Sequence, residues 1–389
     1  MKLLRNLFVA LATLSLSSTA SLAKEAGGFM VWLGRDTTGV ERYMREDARL
    51  VVDQVGRSPR VLSRHFEYEL GAGGALKGLS VKVTNPSAPA GAPPLQLLKV
   101  TPTKDSILVE VRRDSSVQTI RVAAPSGTVV VSLSSPWVMY ESVTMKLAAG
   151  KAKRLQMPMY ILGAGEVDSM TVRRLDADSM EIVNPEGVYH ILVDKAGHIV
   201  HVTPIKGTAQ FTVQRMPNVD LAAFTAQYSA REAQAGMMGA LSTRDTVRVE
   251  NAGGAQLWID YGRPSKRGRV VYGGVVPFGE LWRTGANAAT QFRTDKTLKF
   301  GDAVMPAGFY TLWTIPSPSG WKLIVNSETG QWGTAHQADK DLLTLDMSVS
   351  ALSDPVERFT ISVTPAADGG VIHLDWDTTR ASLPFTVQP

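Results

Sequence analysis

Between residues 60 and 70, aromatic and aliphatic side chains fall on alternate positions. Leu62, Phe66, Tyr68 and Leu70 share one face with Arg64, and Val61, Ser63, His65, Glu67 and Glu69 share the other. A period of two is the signature of a strand, and the aromatic face predicts burial, with Arg64 as its exception. Comparable runs occupy 106–112, 119–124, 128–133, 180–183, 189–193 and 198–202, separated by turn-forming stretches at 71–74, 85–94 and 194–197. Asp194, Lys195, Ala196 and Gly197 lie between two apolar runs and predict the turn of a hairpin.

Two segments switch to helical spacing. Ser135 and Pro136 predict an N-cap and a first-turn proline, Val143 and Leu147 lie on one stripe, and Gly150 marks the stop. A second helix is predicted to begin near Asp220, with Leu221, Phe224 and Tyr228 aligned, and to fade at Gly236. Residues 237–244 read as a linker.

Strand patterns return at 247–249, 257–261, 270–272, 291–294, 309–315, 322–326, 344–348, 359–363 and 371–376, with a short helix or turn at 337–342. No crossover-length helix separates these later runs, which favours a β-sandwich or jelly-roll over βαβ units. The expected fold is mainly β. An antiparallel, curved β-sheet domain with two helices spans 24–240, and a C-terminal β-sandwich or jelly-roll-like domain spans 245–389.

The first 23 residues have a separate pattern. Lys2 and Arg5 precede an uncharged, largely apolar stretch from Leu7 to Leu22, and Ser21-Leu22-Ala23 supplies small residues for a peptidase. The strictly apolar core is shorter than the roughly 20 residues a spanning helix needs. The expectation is a cleavable signal, a periplasmic or secreted location and no membrane-spanning segment. With no cysteine, disulfides, thiolate catalysis, cysteine-ligated metals and an N-terminal lipid anchor are excluded. The formal charge of +5 becomes 5 − 2 = +3 once Lys2 and Arg5 leave. That excess is no nucleic-acid footprint.

Six of the eight tryptophans lie in the last domain. There Arg263-Pro-Ser-Lys-Arg-Gly268, Val276-Pro-Phe-Gly279, Trp282-Arg-Thr-Gly-Ala-Asn-Ala-Ala-Thr290, Pro306-Ala-Gly-Phe-Tyr310, Trp321, Asn326 and Gln331-Trp-Gly333 follow in order. Over about residues 256–360 this set resembles the domain of unknown function 2911 family of exported bacterial proteins. The resemblance implies a compact β fold and carries no established activity. Tyr272 is followed by two glycines where many members have an aromatic before one, a local difference of turn. Gly34-Arg-Asp-Thr-Thr-Gly-Val-Glu-Arg-Tyr43 is similar to the segment that accompanies this domain in some exported proteins.

The candidate ligand-binding residues are Trp282, Arg283, Thr284, Asn287, Trp332 and His336. Arg283 offers a rigid fork of donors suited to carboxylate, sulfate or phosphate. Asn287 and Thr284 add neutral hydrogen bonds, and tryptophan faces stack on a sugar ring or another flat surface. The same residues also fit a scaffold, with Arg283 paired to Glu280 or Asp295, Asn287 tying the loop and Trp282 filling the core. Arg263, Lys266, Arg267 and Arg269 form either a solvated loop or an electropositive rim. Met139, Met145, Met157 and Met159 either line an apolar groove or fill an ordinary core.

His198 and His201 are three apart and point to opposite faces of a strand, and no His-Glu-x-x-His occurs, so no metal is expected. No cofactor is implied, since phosphate-loop and dinucleotide fingerprints are missing. A Gly-x-Ser-x-Gly elbow is also missing. His336 with Asp339 or Asp341, and Glu280, are the available acid–base groups. The sequence therefore favours a non-enzymatic ligand-binding or envelope-associated factor for an unknown small molecule or glycan. The alternative is a periplasmic or extracellular hydrolase acting on a carbohydrate or other envelope compound.

Overall fold

The computed structural model describes residues 25–46, 48–132, 136–207 and 210–388. The predicted signal and the Ser135 cap lie outside these residues. Fifteen strands form one sheet. The first, Glu25–Leu33, sits in its middle, and the next seven step outward as an antiparallel meander to the edge strand Ser116–Ala123. The chain then crosses to the opposite edge at Val129–Val131 and returns strand by strand until Phe211–Met216 pairs with Glu25–Leu33. Val129–Val131 pairs in parallel with Arg154–Ile161, a geometry that requires a long crossover. That crossover holds helix α1, Trp137–Ala149.

Helix α1 is apolar nearly all round, and Trp137, Val138, Met139, Tyr140, Val143 and Leu147 are buried. Such a helix belongs inside a core, and both arms of the sheet contribute residues to the cluster around it, among them Phe66 and Val109 from one arm and Met170 and Ile191 from the other. Burying helix ends demands partners for their free backbone groups. Glu41, reaching from a strand, accepts from the backbone nitrogens of Trp137 and Val138 at 2.8 and 3.3 Å. At the other end Arg174 donates to the Leu147 carbonyl at 3.0 Å. Glu141, fully buried, accepts from Ile199 N at 2.9 Å, from Arg215 and from Tyr43 Oη at 3.3 Å, and Arg45 lies 3.7 Å away.

The expected hairpin turn at 194–197 rests on α1. A Cβ on Gly197 would approach Ala148 Cβ to 2.7 Å, at a φ of +88°. The methionines resolve in favour of core: Met139 and Met159 are buried, Met157 packs against the same cluster, and Met145 Sδ accepts from Arg45. Helix α1 fills the concavity that an apolar groove would occupy. Arg64 is the expected exception on its aromatic face, its guanidinium pushed down from the ordinary range by burial. Helix α2, Leu221–Ala235, is capped by Asp220, whose carboxylate accepts from Ala223 N at 3.0 Å. Its Leu221, Phe224 and Tyr228 cover Val40, Val55 and Val61 on the outside of the sheet.

The remaining nine strands form a second sheet, from Ser242–Ala252 to Gly369–Val387. The runs at 344–348 and 359–363 turn out to be one bent strand, Asp341–Ala366. Its first residues pair with Trp321–Asn326, and its later residues with Gly369–Val387. This carries the sheet around a single core that includes Trp321, Trp376, Phe359 and Tyr261. The run at 270–272 is not a strand but part of a turn, in which Gly273 N donates to Val276 O and Gly273 has a φ of +82°. A hairpin of Leu298–Phe300 and Ala303–Met305 was not predicted, because three-residue strands carry almost no periodicity. No helix among the described residues is long and apolar enough to cross a membrane.

The basic loop at 263–269 fastens the two sheets together. Arg35 N donates to Arg267 O at 3.0 Å, and the Arg267 guanidinium meets Asp36 at 2.7 Å. Gly34 has no room for a Cβ, which would stand 2.3 Å from Arg267 O. The Gly34–Asp36 turn is thus fitted to the basic loop. Arg263 pairs with Asp245 and Lys266 with Asp377.

Candidate functional site

The segment 282–290 crosses the second sheet as an irregular loop seated on Gly262, where a Cβ would stand 2.1 Å from Ala286 O. Thr284 and Asn287 both adopt left-handed backbone, with φ of +53° and +64°. Asparagine tolerates this region, whereas a β-branched threonine does so only under constraint. The constraint is explicit. Thr284 Oγ1 donates to Thr314 Oγ1 at 3.2 Å, and the Thr284 carbonyl accepts from Thr290 Oγ1 at 2.7 Å. Thr284 is fully buried. Its hydroxyl turns inward to a neighbouring strand, and Thr284 lines neither of the two clefts that Arg283 lines.

Trp282 is likewise committed. Its indole N–H donates to Gly285 O at 3.0 Å, and its ring stacks on Trp376 and meets Phe359 edge-on. Trp313, Trp321 and Trp376 are core residues. Trp332 is the contrast, 52% exposed, its backbone bridged to Ala288.

Arg283 is only 8% exposed, yet neither Glu280 nor Asp295 pairs with it. Glu280 is exposed, and Asp295 accepts from Gln256 N. Among the described residues its one side-chain hydrogen bond is from Nη1 to the Asn287 carbonyl at 3.2 Å. Burial without a carboxylate pushes its pKa down to about 10. Arg269 shows the same character. It donates to the carbonyls of Ser265 and Lys266, at 2.7 and 3.1 Å, with no ion pair among the described residues. Burial first, and then Arg267, lower its pKa to about 10, against a smaller opposing pull from Glu357. Of the four basic residues in the loop, three are paired to carboxylates and Arg269 is left.

Arg269 and Arg283 line one cleft of about 440 Å³, within the range of small-molecule sites. Trp282, Asn287 and Trp332 line it too. Its far wall comes from Leu33 and Phe211 of the first sheet and from Leu241 of the segment that connects the two sheets. Of the six residues expected at the site, four therefore meet here. His336 lines a neighbouring cleft of about 380 Å³, which shares Trp282 and Arg283 with the first. Its Nε2 lies 2.8 Å from Asp341 Oδ1, which also accepts from Asn326. The contribution of the first sheet had no sequence signal, because Leu33 and Phe211 read as ordinary strand residues.

Gly333 holds Arg283 in place by lacking a side chain: a Cβ would meet Arg283 Cδ at 2.2 Å and Asn287 O at 2.4 Å. Gly333→Ala is therefore expected to lower stability by roughly 1–3 kcal/mol, the usual range for overpacking. Thermal denaturation checks this, and an unchanged midpoint would show that the loop yields freely.

Among the described residues no group of three or more histidine, aspartate or glutamate side chains is placed to hold a metal ion. Residues 242–385 match DUF2911, a family described as protein of unknown function. The DUF2911 region thus contains the loop 282–290, both unpaired arginines and Trp332, while the wall carrying Leu33, Phe211 and Leu241 lies before it. No curated protein matches the chain. Among solved structures, a DUF1089 family protein from Pseudomonas aeruginosa is similar at 16% identity and a TM-score of 0.30, covering 43% of this chain and 90% of its own. A beta-barrel-like protein of domain of unknown function DUF1849 from Brucella abortus is similar at 12% identity and a TM-score of 0.32, covering 50% of this chain and 94% of its own.

Proposed function

We propose that this protein is an exported binding protein that takes a small organic anion in the cleft between its two sheets. The observation that carries this reading is Arg283, a buried guanidinium without a carboxylate partner among the described residues. Burying such a charge is costly unless something pairs with it, and an anion in the cleft supplies the pair. Arg269 adds a second unpaired cation, the Asn287 amide adds hydrogen bonds, and the exposed Trp332 ring offers a stacking face at the same cleft. The charged, apolar and small-residue succession at residues 2–23 supports export.

Calorimetric titration of inorganic phosphate, sulfate and benzoate against wild type, Arg283→Lys and Arg283→Met tests the reading. Removing one partner of a buried charge pair typically costs 2–5 kcal/mol. Arg283→Met is thus expected to weaken binding about 30-fold or more, with Arg283→Lys between it and wild type, since lysine keeps the charge but loses the fork. Equal binding by a folded Arg283→Met protein would remove Arg283 from the site.

A hydrolytic reading has one contact in its favour, the Asp341–His336 pair, which orients the imidazole beside the smaller cleft. No serine or threonine hydroxyl is hydrogen-bonded to His336 among the described residues, so the pair lacks the nucleophile of a triad. Turnover of aryl phosphate or aryl glycoside probes that His336→Ala abolishes would favour it over binding alone.

A further inference from the structure

The two walls of the larger cleft differ in chemistry. Loops of the second sheet contribute Arg269 and Arg283, neither of them ion-paired among the described residues, beside the rings of Trp282, Trp332 and Trp376. The first sheet contributes Leu33 and Phe211, which face each other as register partners at the ends of neighbouring strands, together with Leu241 from the connecting segment. No charged residue of the first sheet lines this cleft among the described residues. An inorganic anion would satisfy the guanidiniums and leave unfilled the part of the cleft edged by half-buried Leu241 and by the rims of Leu33 and Phe211, which are only 6% and 2% exposed. A purely apolar ligand would leave the guanidiniums unpaired. The occupant that satisfies both walls carries an anionic group at one end and hydrocarbon at the other.

We propose that the cleft binds a free single-chain amphiphilic anion, its phosphate, sulfate or carboxylate head at Arg283 and Arg269 and its chain against Phe211, Leu33 and Leu241. This rests on the anion-binding reading above and adds the apolar half of the ligand. A volume of about 440 Å³ accommodates a head group with a chain of moderate length. The two halves of the molecule then have distinct tasks, one reading charge and the other reading hydrocarbon. The ligand bridges them.

The experiment is a series of n-alkyl phosphates, from inorganic phosphate to octyl phosphate, each below its micelle concentration, titrated into the full chain. Burial of one methylene corresponds to roughly a two- to fourfold gain in affinity. Wild type is expected to show that gain for each carbon until the cleft is full. Arg283→Met should weaken every member of the series by a similar factor. Leu241→Asn should flatten the dependence on chain length while leaving inorganic phosphate unchanged, and Phe211→Leu, which preserves most of the packing, should reduce it less.

A flat series with phosphate binding still dependent on Arg283 overturns the amphiphile and leaves the anion site standing. No binding by phosphate or any alkyl phosphate overturns both. A steep series untouched by either Leu241→Asn or Phe211→Leu places the chain elsewhere and overturns this assignment. Vesicles of phosphatidylcholine doped with phosphatidic acid separate the sources of the head group. Co-sedimentation with them that outcompetes octyl phosphate would make the ligand a membrane lipid and overturn the free amphiphile.

Discussion

Glu141→Leu is expected to destabilise the protein by about 3–5 kcal/mol, the usual cost of leaving a buried charge without its partner. Glu141 lies on α1 with no solvent exposure, and its carboxylate gathers Arg215, the Tyr43 hydroxyl and the Ile199 backbone nitrogen from strands far apart in sequence. Leucine fits the volume but strands Arg215 and an amide donor. Glu141→Gln, which keeps two polar atoms, should lose less. Adding Arg215→Met to Glu141→Leu should recover part of the loss, because the uncompensated cation goes with it. Denaturant titration with far-ultraviolet circular dichroism measures all four proteins. A loss below about 1 kcal/mol for Glu141→Leu would mean that α1 is seated by its apolar faces alone.

Arg283→Met is expected to act in the opposite direction on stability and to abolish tight anion binding. The sign follows from the lowered pKa. A base whose folded pKa falls below its ordinary value binds its proton less readily in the folded state, so its charge opposes folding. That penalty is complete at neutral pH and is relieved only as pH rises past about 10 towards the ordinary guanidinium range. Methionine fills similar space beside Gly333 without the charge, and gives up the single bond to Asn287 O. The ligand-free variant should therefore be more stable than wild type by roughly 1–2 kcal/mol at neutral pH. Saturating anion should then stabilise wild type and leave the variant where it was. A variant that melts well below wild type would identify Arg283 as a structural strut for the loop.

Much of the fold was legible because it is written in local periodicity. The alternation at residues 62–70, the Asp194–Gly197 turn and the Asp220 cap of α2 each follow from a few neighbouring side chains. Arg283 could be singled out as a forked donor in a glycine-rich loop. What could not be read was its lack of a partner, which depends on where Glu280 and Asp295 fall in space. The burial of Thr284 was hidden too, since a threonine in a polar loop looks the same whether its hydroxyl faces water or Thr314. The carboxylates Glu41 and Glu141 gave one faint signal. A charge inside a helix that is apolar nearly all round must find a partner, but the sequence does not say that the partners of Glu141 include Tyr43, 98 residues earlier, and Arg215, 74 residues later.

The contact of Gly34 and Asp36 with Arg267 has an architectural consequence. The region matched by DUF2911 owns the cations of the cleft but only one of its two walls, and the other is delivered by a turn spliced to its basic loop through a backbone bond and an ion pair. The cavity is consequently a joint property of the whole chain. The matched region by itself carries Arg283 and Arg269 but not Leu33 or Phe211, so the cleft has no second side without the strands that precede it.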